Sequence, residues 1–245
     1  MFKQVSLLLF VLLSAVIYGF SSYPSRFEVV ETANTVVTYS LTLINNTKTD
    51  ETITLELFSW EAAGDNDMVL LPITENWINI PVKEHFLSAD SQKKIDIVLD
   101  VPNIKGEKKA QIFVAAKEQK SFFNISKSVP FYLVIKNTEV IDLDLKSFNI
   151  KISSDQILFD VELENKGNIH LRPRLELELL HENGNISWLM ILDDLPVFPN
   201  SFRQYKPDYP KSDFSDVIEI KKLKISYYNT MGQIIEKIID RTIKL

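Results

Sequence analysis

From Val37 to Asn46 apolar and polar residues alternate, with Val37, Tyr39, Leu41 and Leu43 on one parity and Thr38, Ser40, Thr42 and Ile44 on the other. A period of two sends successive side chains to opposite faces of a strand, so this stretch predicts a strand that stops at the turn-forming pair Asn45-Asn46. Thr52 to Trp60 repeats the pattern with Ile53, Leu55, Leu57 and Ser59 on one face, and the two segments together read as a hairpin. Gly64 to Asp67 mark a turn, an extended stretch through Trp77, Ile78 and Ile80 ends at Pro81, and Ile95–Val101 and Ala110–Ala116 predict two more strands around a loop at Pro102 and Gly106.

The longest extended stretch runs from Phe122 to Ile135. Phe123, Ile125, Val129, Phe131, Leu133 and Ile135 share a parity that Lys127 alone interrupts with charge. Pro130, on the opposite parity, removes a ladder donor, which places the strand at a sheet edge.

Alternation stops at Lys136-Asn137-Thr138-Glu139 and restarts at Asp144–Ile152, which sets a domain boundary at residue 137. Further strands are predicted at about Gln156–Glu164, Ile169–Leu180, Ile186–Leu192, Val217–Tyr227 and Gln233–Ile243, with turns at 165–168, 181–185 and 229–232. No amphipathic pattern sustains a helix of three turns. Many short strands with regular turn signals point to an all-β protein of two immunoglobulin-like sandwiches, residues 22–137 and 138–245.

The N-terminus changes the picture. Lys3, the apolar run from Val5 to about Tyr18, and the small residues Gly19, Ser21 and Ser22 form a secretory signal peptide over residues 1–21, cut after Gly19 or Ser21. The run is shorter than the ~20 residues that span a bilayer, although a retained anchor is the alternative. No second apolar run of that length follows, so no integral membrane segment is expected once the leader is removed. The chain is therefore expected outside the cytoplasm, in a periplasm or at a cell surface. It has no cysteine, so its stability must come from apolar burial without disulfides, and it offers no thiol to a lipid or to catalysis. A net charge of −6 argues against nucleic acid, which needs clustered cations.

Candidate chemistry is sparse. The three histidines, His85, His170 and His181, lack metal-ligand spacing. Asp160, Glu162 and Glu164 share a strand face, where calcium binding competes with the simpler reading of a solvated face. Asp193 and Asp194 have no acid or base partner nearby in sequence, and no clustered glycines could cradle a phosphate. No enzyme, metal or cofactor is implied. Trp60, Trp77 and Trp188 fit core anchors or a sugar-stacking face. Glycosylation sequons start at Asn45, Asn124 and Asn185.

Two stretches carry a resemblance. In WINIPVKEHFLSADSQKKIDIVLDVPNIKGEKKAQIFV, the positions Trp77, Pro81, Gln92, Val101, Pro102, Gly106 and Ile112 to Val114 follow a pattern of chaperone-type immunoglobulin-like domains in bacterial envelope proteins. NKGNIHLRPRLELELLHENGN followed by VFPNSFRQY is similar to the second domain of the same proteins. The chain thus resembles the periplasmic pilus-assembly chaperones and, more distantly, surface proteins that bind WxL-domain proteins, which usually end in a membrane helix.

The chaperone resemblance implies a non-enzymatic module whose partner is a secreted or surface, pilin-like subunit, bound by edge-strand addition. Phe123, Ile125, Val129, Phe131 and Leu133 would enter the partner. A basic pair matching Arg26 and, within a register slip of one or two residues, Lys127 would take its C-terminal carboxylate. Packing of the apolar face on its own domain, with Lys127 as a guard against aggregation, is the competing reading. A structural or adhesive surface protein that binds polysaccharide or another envelope protein is the alternative function.

Overall fold

The computed structural model describes residues 19–63, 67–117, 126–228 and 232–244. Most of the leader and the predicted donor positions Phe123 and Ile125 lie outside them. Eighteen strands follow in order: β1 (Phe20–Tyr23), β2 (Phe27–Glu31), β3 (Val36–Asn45), β4 (Glu51–Ala63), β5 (Asp67–Pro72), β6 (Ile78–Asn79), β7 (Glu84–Leu87), β8 (Gln92–Asp100), β9 (Glu107–Ala116), β10 (Ser126–Ile135), β11 (Leu143–Ile152), β12 (Gln156–Asn165), β13 (Arg174–His181), β14 (Ile186–Leu192), β15 (Ser201–Tyr205), β16 (Asp208–Pro210), β17 (Val217–Tyr228) and β18 (Ile234–Lys244). Among the described residues the helical content is one 3-10 turn, Lys211–Phe214, and no helix is long and apolar enough to cross a membrane.

The described residues form two compact units. One takes the chain up to Trp60, Leu70–Pro102 and Lys109–Leu133; the other takes Glu61–Val69, Asn103–Lys108 and the chain from Val134. In the first, one sheet has the order β1-β3-β8-β6 and its companion β2-β10-β9-β4-β5, with β7 added to β4. Leu41, Leu43, Ile97 and Leu99 from one sheet and Ile53, Leu55, Ile112, Val114 and Phe131 from the other are almost wholly buried. Each such side chain contributes about 1.5–3 kcal/mol by leaving water. The second unit repeats the scheme with β11-β12-β15, β16 also on β12, and β14-β13-β17-β18. Its core gathers Phe159, Val161 and Leu163 of β12 with Leu175, Leu177, Ile220 and Leu223 of β13 and β17.

The predicted hairpin of residues 37–60 is not one. β3 pairs with β1 and β8, whereas β4 pairs with β7 and β9 in the other sheet. Alternation tells which face is buried but not which strand lies alongside, and both strands feed the same core from opposite sides. The edge position predicted for Phe122–Ile135 is corrected over its described part, Ser126–Ile135, because β10 lies between β2 and β9. β2 has five residues against the ten of β10, so it flanks only part of that strand's outer side.

Candidate functional site

β10 is where the predicted partner-binding residues converge. Its burial changes along its length: Ser126 and Ser128 are exposed and Lys127 half-buried, whereas Val129, Phe131 and Leu133 are 0% exposed. The Phe131 ring stacks on Phe27 at 4.8 Å between centroids and meets Tyr39 and Trp77 edge-on. These three apolar side chains fill their own sandwich. Tyr132 and Val134 are buried as well, so the second half of the strand is covered on both faces. Pro130 is tolerated between them, half-buried, where the other parity of the strand turns from exposed to buried.

Arg26 lies directly before β2. Its Nε is 3.1 Å from Glu28 Oε1, with both side chains more than one-third exposed. Lys127 Nζ donates to the Ser22 carbonyl at 3.1 Å, reaching from one sheet to β1 of the other. β2 and β10 are neighbours in one sheet, so Arg26 directly precedes the strand that adjoins the one carrying Lys127. Nearby, the Tyr39 hydroxyl donates to Glu31 Oε1, and burial followed by that carboxylate raises the phenol above its ordinary pKa. Gln111 of β9 donates to the Ser128 hydroxyl, which fixes the exposed start of β10 to its other neighbour.

The remaining candidates separate. Trp60 and Trp77 are buried, and Trp188 is 46% exposed with Lys224 Nζ 5.0 Å from its ring centroid. His85 lies within β7, where Nε2 bonds the Val82 carbonyl at 2.8 Å; burial pushes its pKa down. His170 Nδ1 meets Glu107 Oε2 at 2.7 Å in the second unit, and His181 bonds Asp216 and Ser187. Asp160 accepts from Gln204, and Glu164 faces Lys146 and Lys166. No group of three or more histidine and carboxylate residues suited to a metal occurs among the described residues. Arg174 takes Asp193 and Arg172 approaches Asp194, so these carboxylates are paired with cations.

Sequence reasoning passed over Asn45 and Asn165, both buried. Asn45 Nδ2 donates to the carbonyls of Thr49, Leu87 and Ser88, and its Oδ1 accepts from Thr47 N. Asn165 Nδ2 donates to the carbonyls of Ile169 and Val197, and its Oδ1 accepts from Gly167 N. The shared spacing of carboxamide, i+2 donor and i+4 acceptor was the signal available. It also places the sequon asparagine Asn45 out of reach, whereas Asn185 is exposed in its turn and Asn124 lies outside the described residues.

No protein-family model matches the chain, and no curated protein matches it. Solved structures do. The class 5 fimbriae chaperone CfaA aligns with a TM-score of 0.55 at 12% identity, covering 91% of this chain and 100% of that one. The fold is that of the fimbrial chaperones. A chain of the CsuC–CsuE chaperone–tip adhesion subunit pre-assembly complex from Acinetobacter baumannii aligns at 0.53 and 16% identity, covering 89% and 97%. A chain of the CFA/I chaperone–tip adhesin complex aligns at 0.51 and 12%, covering 91% and 100%. These likenesses bear out two tandem immunoglobulin-like sandwiches and, for the fold, the resemblance read from the motifs.

Proposed function

We propose that this chain is an exported chaperone-like module of the periplasm, not an enzyme, that holds a secreted β-rich subunit by strand addition. Residues 22–137 form its chaperone-type domain and 138–245 its companion. The observation that carries the reading is the exposed start of β10, which carries Lys127, with Arg26 directly before the neighbouring strand β2, in a fold shared with fimbrial chaperones. A cation at the start of a strand suits a C-terminal carboxylate, because charge-assisted bonds fix the register from which a strand can zip. Val129, Phe131 and Leu133 could enter a partner only by emptying their own core, at about 2–5 kcal/mol each. In this reading they anchor β10, and the residues that meet the subunit are Arg26, Lys127 and the upstream pair Phe123 and Ile125.

Purification from the native envelope tests it. A stoichiometric β-rich subunit is expected to accompany the parent chain and to be lost from Arg26→Ala and Lys127→Ala, both of which keep the parent melting temperature. Phe131→Ala is expected to lower that temperature instead. A parent chain that emerges alone, or cation variants that retain the subunit, would overturn the reading.

A further inference from the structure

β14 stands at the edge of its sheet, and its sequence ISWLMIL is the longest run without charge or proline in any edge strand described. Edge strands are ordinarily guarded by charge, proline or a bulge, because their free backbone groups template further pairing. The opposite edge, β18, is guarded in that way by Glu236, Lys237 and Asp240. On β14, Ile186, Trp188 and Met190 are all exposed.

The backbone direction follows from the hairpin. His181 N–H donates to the Asn185 carbonyl, so His181 points towards β14, and alternation makes Leu179–Ser187 and Leu177–Leu189 the bonded pairs. Ile186, Trp188 and Met190 therefore turn their N–H and C=O groups to the open edge. The Tyr209 hydroxyl donates to the Met190 carbonyl at 3.1 Å and closes that end. Ile186 and Trp188 keep a donor and an acceptor each facing out.

We propose that a second copy of this chain occupies this edge, through antiparallel β14 to β14 pairing on a two-fold axis at Ser187. That register sets Ile186 opposite Trp188 of the copy, twice, makes four backbone hydrogen bonds, and leaves the Tyr209 cap undisturbed. Met190 then faces Gly184 of the copy, beside which a Cβ would find nothing within 4 Å. A copy is the occupant that suits the chemistry, since every outward position of β14 is apolar and offers no charge to a charged strand. The rows behind are neutralised by the pairs Glu178–Lys222 at 3.1 Å and Glu176–Lys224 at 2.6 Å. A two-fold axis at Trp188 would instead set Met190 opposite Ile186 and require its capped carbonyl.

The absence of cysteine makes the test direct. The mature chain is expected to be dimeric by light scattering, and Trp188→Lys monomeric at unchanged melting temperature. Ser187→Cys is expected to form an intermolecular disulfide, because a non-hydrogen-bonded pair sits about 4.5 Å apart, within the bridging range. Trp188→Cys, diagonal to its own copy at roughly 7–8 Å, is expected to stay reduced. A monomeric parent, a dimeric Trp188→Lys, or coupling of Trp188→Cys in place of Ser187→Cys would overturn the proposal. None of these readouts depends on the chaperone reading.

Discussion

Asn45 and Asn165 occupy equivalent positions in the two sandwiches, each closing a strand and bonding the backbone at i+2 and i+4. Both carboxamides also reach a carbonyl distant in sequence, Leu87 for Asn45 and Val197 for Asn165. Each side chain thus ties a loop to a loop inside its own core, where a chain without disulfides has few other means to do so. Removing one leaves buried carbonyls and an amide unsatisfied, at about 1–3 kcal/mol per orphaned group. Asn165→Ala is expected to cost about 2–4 kcal/mol, and hydrogen exchange should show the loss in β12 and β13 while β3 and β8 keep their protection.

Two glycines contrast in a way that mutagenesis can read. A Cβ on Gly167 would lie 2.2 Å from the Val140 carbonyl oxygen, where backbone must shift, whereas Gly184, at φ +81°, has open space but a left-handed backbone. Gly184→Ala is expected to cost about 1 kcal/mol through backbone strain. Gly167→Ala is expected to cost more, seen as a larger fall in denaturation midpoint.

His85 gives the first unit a pH dependence. Burial lowers its folded-state pKa below the ordinary 6.5, outweighing the Val82 carbonyl, which raises it. Below 6.5 the unfolded chain takes up a proton that the folded chain resists, so stability falls as pH drops from 6.5 towards the folded value and is level above. His85→Gln is expected to flatten that slope, which denaturant titrations on either side of 6.5 would show.

The N-terminus carries a fourth expectation. Ser21 pairs with Ile44 and Phe20 with Asn45 within β1, and Ser21 accepts a bond from Asn46. Cleavage after Ser21 would remove half of that strand, so the mature chain is expected to begin at Phe20. N-terminal sequencing of the protein recovered from its native host checks this.

Legibility followed the range of the interactions. Ile186–Leu192 was readable to the residue because an apolar run bounded by an Asn-Gly turn is a local signal. β15 and β16 escaped notice because five and three residues beside prolines hold too little periodicity. Strand partners are long-range, so β3 and β4 read as a hairpin although they lie in opposite sheets. The same limit hid the neighbour of β10: nothing near Phe131 in sequence announces that Phe27 stacks on it. Arg26 and Lys127 came from resemblance, and the sheet order sets Arg26 directly before the strand that neighbours that of Lys127. Asn45 and Asn165 looked like solvated turn residues because their distant acceptors are invisible locally.

The charges of β18 have a consequence beyond its own edge. A sheet that joins two copies through β14 would end on both sides in Glu236, Lys237 and Asp240, which offer no welcome to a third. Growth would stop at a closed pair. The same arrangement would keep a concentrated β-protein from running on into a fibre.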